Sequence, residues 1–109
     1  MAVRIVEHPA AGAEVIAAAE YYEGLVAGLG HEFMARIEEA LRDIAAGPAR
    51  WPPALGGSVG TAVRSRSTRS FPYSVVYLHD REDVIILAYP HDRQGPGYWQ
   101  GRELGTSGA

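Results

Sequence analysis

The sequence predicts an α+β domain in which a helical hairpin packs on one face of a mostly antiparallel four-stranded sheet, in the order β-α-α-β-β-β. Three features predict this fold: a short β-branched run at the start, two segments with the apolar spacing of helices, and three later strand-like runs separated by turns. The 109 residues suffice for one core. We assign residues 1–102 to this domain and expect the tail, residues 103–109, to be disordered.

The first strand, Ala2–Glu7, is followed by Pro9, which suits the first turn of a helix. Apolar residues then recur at helical spacing in two segments, which predicts a helix ending at Gly24 or Gly28 and a second helix over residues 30–46. A short link containing glycine joins the helices, so we expect an antiparallel hairpin. The apolar positions are Val15, Ala19, Tyr22 and Val26 in the first helix and Phe33, Ile37, Leu41 and Ile44 in the second.

Proline and glycine dominate residues 48–60, which predicts a loop from the helices to the sheet, anchored by Trp51. Three strand-like runs follow at residues 61–69, 72–79 and 84–89, and a short polar turn joins the last two. Strands connected in this way indicate an antiparallel meander.

The composition excludes several classes of protein. A hydrophobic fraction of 47% and a charged fraction of 21% are typical of globular proteins, and no apolar run approaches the roughly 18 residues of a membrane span. The first residues lack the pattern of a signal peptide, and the chain contains no cysteine. We therefore expect a cytoplasmic protein that does not associate with a membrane.

The net charge of -3 is unevenly distributed, because arginine is concentrated after residue 60. Strand alternation puts Arg64 and Arg66 on one side of a predicted strand, and Arg69 lies at the turn that follows. Clustered guanidinium groups suit phosphate, so this side is a candidate site for binding RNA or DNA or for stabilising phosphodiester cleavage. The alternative is an exposed strand face that pairs with acidic side chains.

A second candidate site follows the last strand, where the sequence HDRQGPGYWQGR concentrates polar and aromatic groups. His91 is a candidate for proton exchange near neutral pH, Tyr98 for an acid or donor, and Arg93 for holding a phosphate. Trp99 is a candidate for stacking on an RNA base. The structural alternatives are a hydrogen-bonded histidine and a tryptophan that caps the core.

Other kinds of site lack support in the sequence. The four histidines are far apart and there is no cysteine, which argues against a metal site. The sequence contains neither a Gly-rich phosphate loop nor a serine in a nucleophile elbow. We predict no metal and no cofactor.

Five segments occur in an order that resembles the RelE/ParE superfamily of bacterial toxins, particularly its plasmid-stabilisation members. They are YYE, GLG, GPARWP, RSFPYSVVY and HDRQGPGYWQGR, and the likeness covers residues 2–102. The resemblance implies the same fold, a role as the growth-inhibiting toxin of a type II toxin–antitoxin system, and a heteromeric complex with a cognate antitoxin that covers the basic face.

The resemblance leaves the activity open, because the superfamily contains ribosome-dependent messenger-RNA endonucleases as well as inhibitors of DNA gyrase. The endonuclease members use basic residues on the second strand and after the last strand, together with a tyrosine near the C-terminus. The residues that match those groups here are Arg64, Arg66, His91, Arg93 and Tyr98.

Ser74 departs from the endonuclease pattern, because it occupies the strand position where those members carry an arginine. Loss of one stabiliser of the phosphate charge lowers a rate by a factor on the order of 10²–10³. Three interpretations therefore remain: a ribonuclease acting on the ribosome, a non-enzymatic inhibitor of gyrase, and a non-toxic family member that only binds its antitoxin.

Overall fold

The computed structural model describes residues 3–56 and 62–102 and confirms the predicted fold class. Its elements are β1 (Arg4–Glu7), α1 (Pro9–Leu25), α2 (Leu29–Ala46), β2 (Val63–Ser67), β3 (Ser74–Asp80) and β4 (Asp83–Ala88). The sheet has the strand order β1-β4-β3-β2. The tail predicted to be disordered lies outside the described residues. Neither of the two described helices is long and apolar enough to cross a membrane.

The strands β2, β3 and β4 form the predicted antiparallel meander, whereas β1 pairs with β4 in parallel. Only Arg81 and Glu82 separate β3 from β4, and Arg81 takes a positive φ of 57° in this turn. Parallel neighbours require a crossover connection, which here contains the helical hairpin together with β2 and β3. Because β1 pairs with β4, the first and last strands of the described sheet are adjacent.

Local side-chain contacts determine where α1 begins. His8 precedes the helix, and its Nδ1 accepts a hydrogen bond of 3.0 Å from the backbone N–H of Ala10. Pro9 occupies the first turn, as predicted. The helix ends at Leu25, and Gly28 then adopts the left-handed conformation, with φ of 89°, immediately before α2.

Glu23 fixes the link between the two helices. Its carboxylate accepts hydrogen bonds from the backbone N–H groups of Gly28, at 2.8 Å, and Gly30, at 3.0 Å. These bonds satisfy donors at the start of α2, where glycine offers no side-chain cap, and they lower the pKa of Glu23 from its ordinary value. The helices approach closely at Gly30, where an added Cβ would lie 2.5 Å from the carbonyl oxygen of Ala19.

The main core lies between the helices and the sheet, and an aromatic cluster occupies one end of it. The fully buried ring of Phe33 lies 5.2 Å from Tyr22, 5.3 Å from Phe71 and 5.2 Å from Tyr73, measured between ring centroids. Tilted and edge-on ring pairs add to the stabilisation that burial gives. The cluster joins both helices to the connection between β2 and β3.

A smaller core covers the opposite face of the sheet. The segment after β4 supplies Trp99, which is 2% exposed and caps this core, as the structural alternative predicted. We call residues 95–102 the closing segment, because they cover part of a sheet face that the helices leave open. The other buried members of this second core are Val63, Val76, Leu87 and Ala88.

Truncation of Phe33 tests the role of the aromatic cluster. Phe33→Ala removes a fully buried ring that three other rings contact. We expect it to lower the free energy of unfolding by about 3–5 kcal/mol, measured by urea denaturation. The control, Ile16→Ala, alters a side chain that is 59% exposed and should change stability by less than about 1 kcal/mol. Equal losses for the two variants would contradict this assignment.

Candidate functional site

A cleft of about 330 Å³ opens on the sheet face opposite the helices. Strands β2 and β3 contribute small side chains to it, and the loops before β2 and after β4 form its two sides. In the part of the chain that the structure describes, no lysine or arginine lines this cleft, and its charged group is the carboxylate of Asp92. The strand residues that line it are Ser65, Ser67, Ser74 and Val76.

His91 lies at the edge of this cleft in a fixed orientation. Its ring packs against Tyr73 at a centroid distance of 5.1 Å and an interplanar angle of 83°. Its Nδ1 accepts a hydrogen bond of 3.0 Å from the backbone N–H of Arg93, and its own backbone N–H donates to Oε1 of Gln94 at 2.8 Å. Because Nδ1 is an acceptor, the neutral ring carries its proton on Nε2. The imidazole can therefore donate a hydrogen bond from Nε2.

Arg66 lies on the helix side of β2 and away from the cleft. It is only 9% exposed, and its strand partner is Val75, a residue of the main core. Its Nη2 donates to Oδ2 of Asp43 on α2 at 2.5 Å, and its Nη1 donates to the carbonyl of Ser67. The hydrogen bond from Arg66 lowers the pKa of the Asp43 carboxyl. Arg66 therefore pairs with an acidic side chain, as in the structural alternative given above. It does so as a buried residue and not on an exposed strand face.

Arg64 shares this face of β2, which confirms the alternation predicted from the sequence. Its Nη1 donates a hydrogen bond of 2.7 Å to the carbonyl of Trp51. The Trp51 ring in turn lies 4.8 Å from the guanidinium carbon of Arg50 and 4.9 Å from that of Arg66. Trp51 thus anchors the loop before β2, as predicted, and the two strand arginines attach that loop and α2 to the sheet.

Tyr98 and Arg93 occupy different surroundings. The hydroxyl of Tyr98 donates a hydrogen bond of 3.1 Å to Oε1 of Glu14 on α1, and the guanidinium of Arg102 lies 5.2 Å from its ring. Burial, and then the nearby carboxylate, raise the pKa of Tyr98 above its ordinary value of 10.0, which already keeps the hydroxyl protonated at neutral pH. The side chain of Arg93 is exposed beside His91.

The five predicted site residues therefore lie in three places. Arg64 and Arg66 lie together on the helix side of β2, His91 and Arg93 lie together after β4, and Tyr98 contacts α1. Within residues 3–56 and 62–102, no three His, Asp or Glu side chains are grouped closely enough to hold a metal ion.

Sequence reasoning singled out Ser74 but did not predict that Ser65 and Ser67 line a cleft with it, and it missed the role of Glu14. The alternation that places Arg64 and Arg66 on one face also places Ser65 and Ser67 on the other, so the serines were predictable in principle. Glu14 gave no comparable signal, because its hydrogen-bond partners Tyr89 and Tyr98 lie 75 and 84 residues away in the sequence.

The ion pair between Asp43 and Arg66 predicts a pH-dependent stability difference. A carboxyl whose pKa is lowered in the folded state stabilises the protein above its ordinary pKa of 3.8, and this contribution disappears as the pH falls through the lower folded-state value. Asp43→Asn should therefore be less stable than the wild type at pH 7, and the difference should shrink in acid. Urea unfolding at pH 7 and at several values below 3.8 measures this difference. Asp92→Asn, at an exposed position, is the control, and a difference independent of pH would refute the assignment.

Comparison with known proteins supports the architecture. No family model matches the sequence, and no curated protein does. A chain in the solved structure described as "Chromosomal ParDE TA system from P. aeruginosa" superimposes with a TM-score of 0.68 at 16% sequence identity. The match covers 82% of this chain and 95% of that chain. The protein therefore has the fold of a chain from a ParDE toxin–antitoxin system.

Proposed function

We propose that this protein is the toxin component of a type II toxin–antitoxin pair and that it arrests growth by binding DNA gyrase. The observation that carries the proposal is the fold likeness to nearly the full length of a chain from a ParDE system. The ordered RelE/ParE-like segments of the sequence support the same conclusion. Because one fold can host several activities, the choice of target rests on the side chains.

The side-chain arrangement favours binding over cleavage of RNA. Phosphodiester cleavage needs cationic groups and a proton-transferring group around a single phosphate. Arg64 and Arg66 are instead engaged with Trp51 and Asp43 on the helix side of the sheet. Arg93 lies beside His91, but the described lining of the cleft has neither lysine nor arginine with which to neutralise a nucleic-acid backbone.

We assign the contact with the target to the cleft and its rim. Leu55, on one side of the cleft, is 83% exposed, the highest value among the exposed large apolar side chains of the described residues. On the other side, His91 and Arg93 offer hydrogen-bond donors and a positive charge. An apolar anchor close to polar groups is typical of a protein-binding surface.

The proposal includes a cognate antitoxin that forms a heteromeric complex with this chain. By binding the native state, the antitoxin would also stabilise the toxin against unfolding. We place the protein and its partner in the cytoplasm, where gyrase acts on DNA.

An assay with purified components tests the proposed target. In stoichiometric excess, the protein should stop supercoiling of relaxed plasmid by gyrase, and it should leave messenger RNA on ribosomes intact. Addition of the antitoxin should restore supercoiling. Cleavage of ribosome-bound RNA would support the endonuclease interpretation instead. Unhindered supercoiling, intact RNA and normal growth on induction would together support the third interpretation, a non-toxic protein that only binds its antitoxin.

Leu55 provides a test of the proposed surface. Leu55→Asp should weaken inhibition of gyrase by roughly tenfold or more, because it places a charge where an apolar anchor is buried on binding. The urea midpoint of the free protein should not change, since Leu55 is already exposed. The matched control is Ile16→Asp, which alters another exposed apolar residue, on α1. If both variants inhibit gyrase like the wild type, the cleft is not the contact surface.

A further inference from the structure

One carboxylate on α1 contacts three residues that are distant in the sequence, through two hydrogen bonds and one ion pair. Oε1 of Glu14 accepts from the backbone N–H of Tyr89 at 2.9 Å and from the hydroxyl of Tyr98 at 3.1 Å. Its Oε2 lies 2.7 Å from Nη2 of Arg102. Glu14 thus joins the first helix to the end of β4 and to the closing segment.

The ion pair between Glu14 and Arg102 is largely shielded from solvent, with side chains that are 24% and 20% exposed. Arg102 also donates from Nη1 to the carbonyl of Leu87 at 2.9 Å, so its guanidinium bridges the helix and β4. Removing one partner of a shielded pair leaves the other charge uncompensated, which is costly. The closing segment therefore depends on Glu14 more strongly than one exposed hydrogen bond would imply.

The closing segment also forms one side of the cleft. Pro96 and Trp99 line the cleft directly. On the far side the segment meets the loop before β2, where the side chain of Gln100 donates to the carbonyl of Gly56. The two backbones are so close there that a Cβ on Gly56 would lie 2.6 Å from the nitrogen of Gly97. Any shift of the closing segment therefore changes the width of the cleft.

We infer that Glu14 is a positioning residue for the cleft, although it lies on the helix that packs on the opposite face of the sheet. By holding Tyr98 and Arg102, it keeps Trp99 in the second core and the cleft at its observed width. Release of this carboxylate lets the closing segment move and opens the cleft. The expected effect of Glu14 on gyrase binding rests on the proposed function, whereas its expected effect on the width of the cleft does not.

Hydrogen exchange measures the release of the closing segment from the rest of the protein. The amide N–H groups of Gln100 and Arg102 donate to backbone carbonyls within the closing segment, which protects them while the segment is docked. Glu14→Ala should speed exchange in residues 95–102 by roughly 10- to 100-fold, because it removes the ion pair with Arg102 and the hydrogen bonds from the Tyr98 hydroxyl and the Tyr89 backbone N–H. Glu14→Gln, which keeps an acceptor oxygen but loses the charge, should give a smaller increase. Glu20→Ala, at an exposed position on the same helix, should give none.

Thiol labelling measures the width of the cleft without any partner. The chain contains no cysteine, so Ser74→Cys provides a single reporter that lines the cleft. Adding Glu14→Ala should raise its rate of reaction with a thiol reagent by roughly tenfold, as expected if docking is weakened by about 1.4 kcal/mol or more. A reporter at an exposed site before β2, Ala49→Cys, should react at the same rate with and without Glu14→Ala.

The outcomes separate this inference from the proposed function. Unchanged exchange in residues 95–102, an unchanged labelling rate at position 74, or faster exchange throughout β3 and β4 would each overturn the role of Glu14. Local opening combined with at least tenfold weaker gyrase inhibition by Glu14→Ala would support both. Local opening in a protein whose wild type does not bind gyrase would uphold the positioning role and refute the proposed target.

Discussion

The pleat of β2 and β3 is the constraint on which the rest of the structure depends. Alternate residues of these strands face opposite sides of the sheet, so Arg64 and Arg66 pack towards α2 while Ser65 and Ser67 line the cleft. A shift of one residue in register would exchange these two sets of side chains. It would put guanidinium groups on the open face and hydroxyl groups under Trp51. The chemistry offered to a partner is therefore determined by strand register as much as by composition.

Much of the fold was predictable because helices and strands leave periodic patterns in the sequence. The spacing around Phe33 identified α2, and the alternation between Arg64 and Arg66 gave the correct shared face of β2. What the sequence did not indicate was which way that face points, because an arginine suits a phosphate site and a buried ion pair equally well. The choice depends on Asp43, whose contact with Arg66 crosses 23 residues and leaves no local pattern.

The candidate site also shows how tertiary contacts assign different roles to similar residues. Arg66 is buried over Trp51, Arg102 pairs with Glu14, and Arg93 is exposed beside the cleft. The first two are largely desolvated and paired, so their charge holds the framework together. Arg93 has its charge near the surface, where it can act on a partner. Counting arginines in the sequence overestimates the positive potential of the cleft, because most of this charge is neutralised or faces elsewhere.

The parallel pairing of β1 with β4 has a consequence for how the chain folds. Arg4 and Asp83 are 79 residues apart, yet they face each other across the two strands and form an ion pair. During synthesis the helical hairpin can form early from local contacts, but β1 has no strand partner until β4 has emerged from the ribosome. The sheet therefore cannot be completed before β4 is available. Until then the apolar edge that includes Ile5 and Val6 is available to other strands, so the nascent chain is exposed to mispairing throughout this interval.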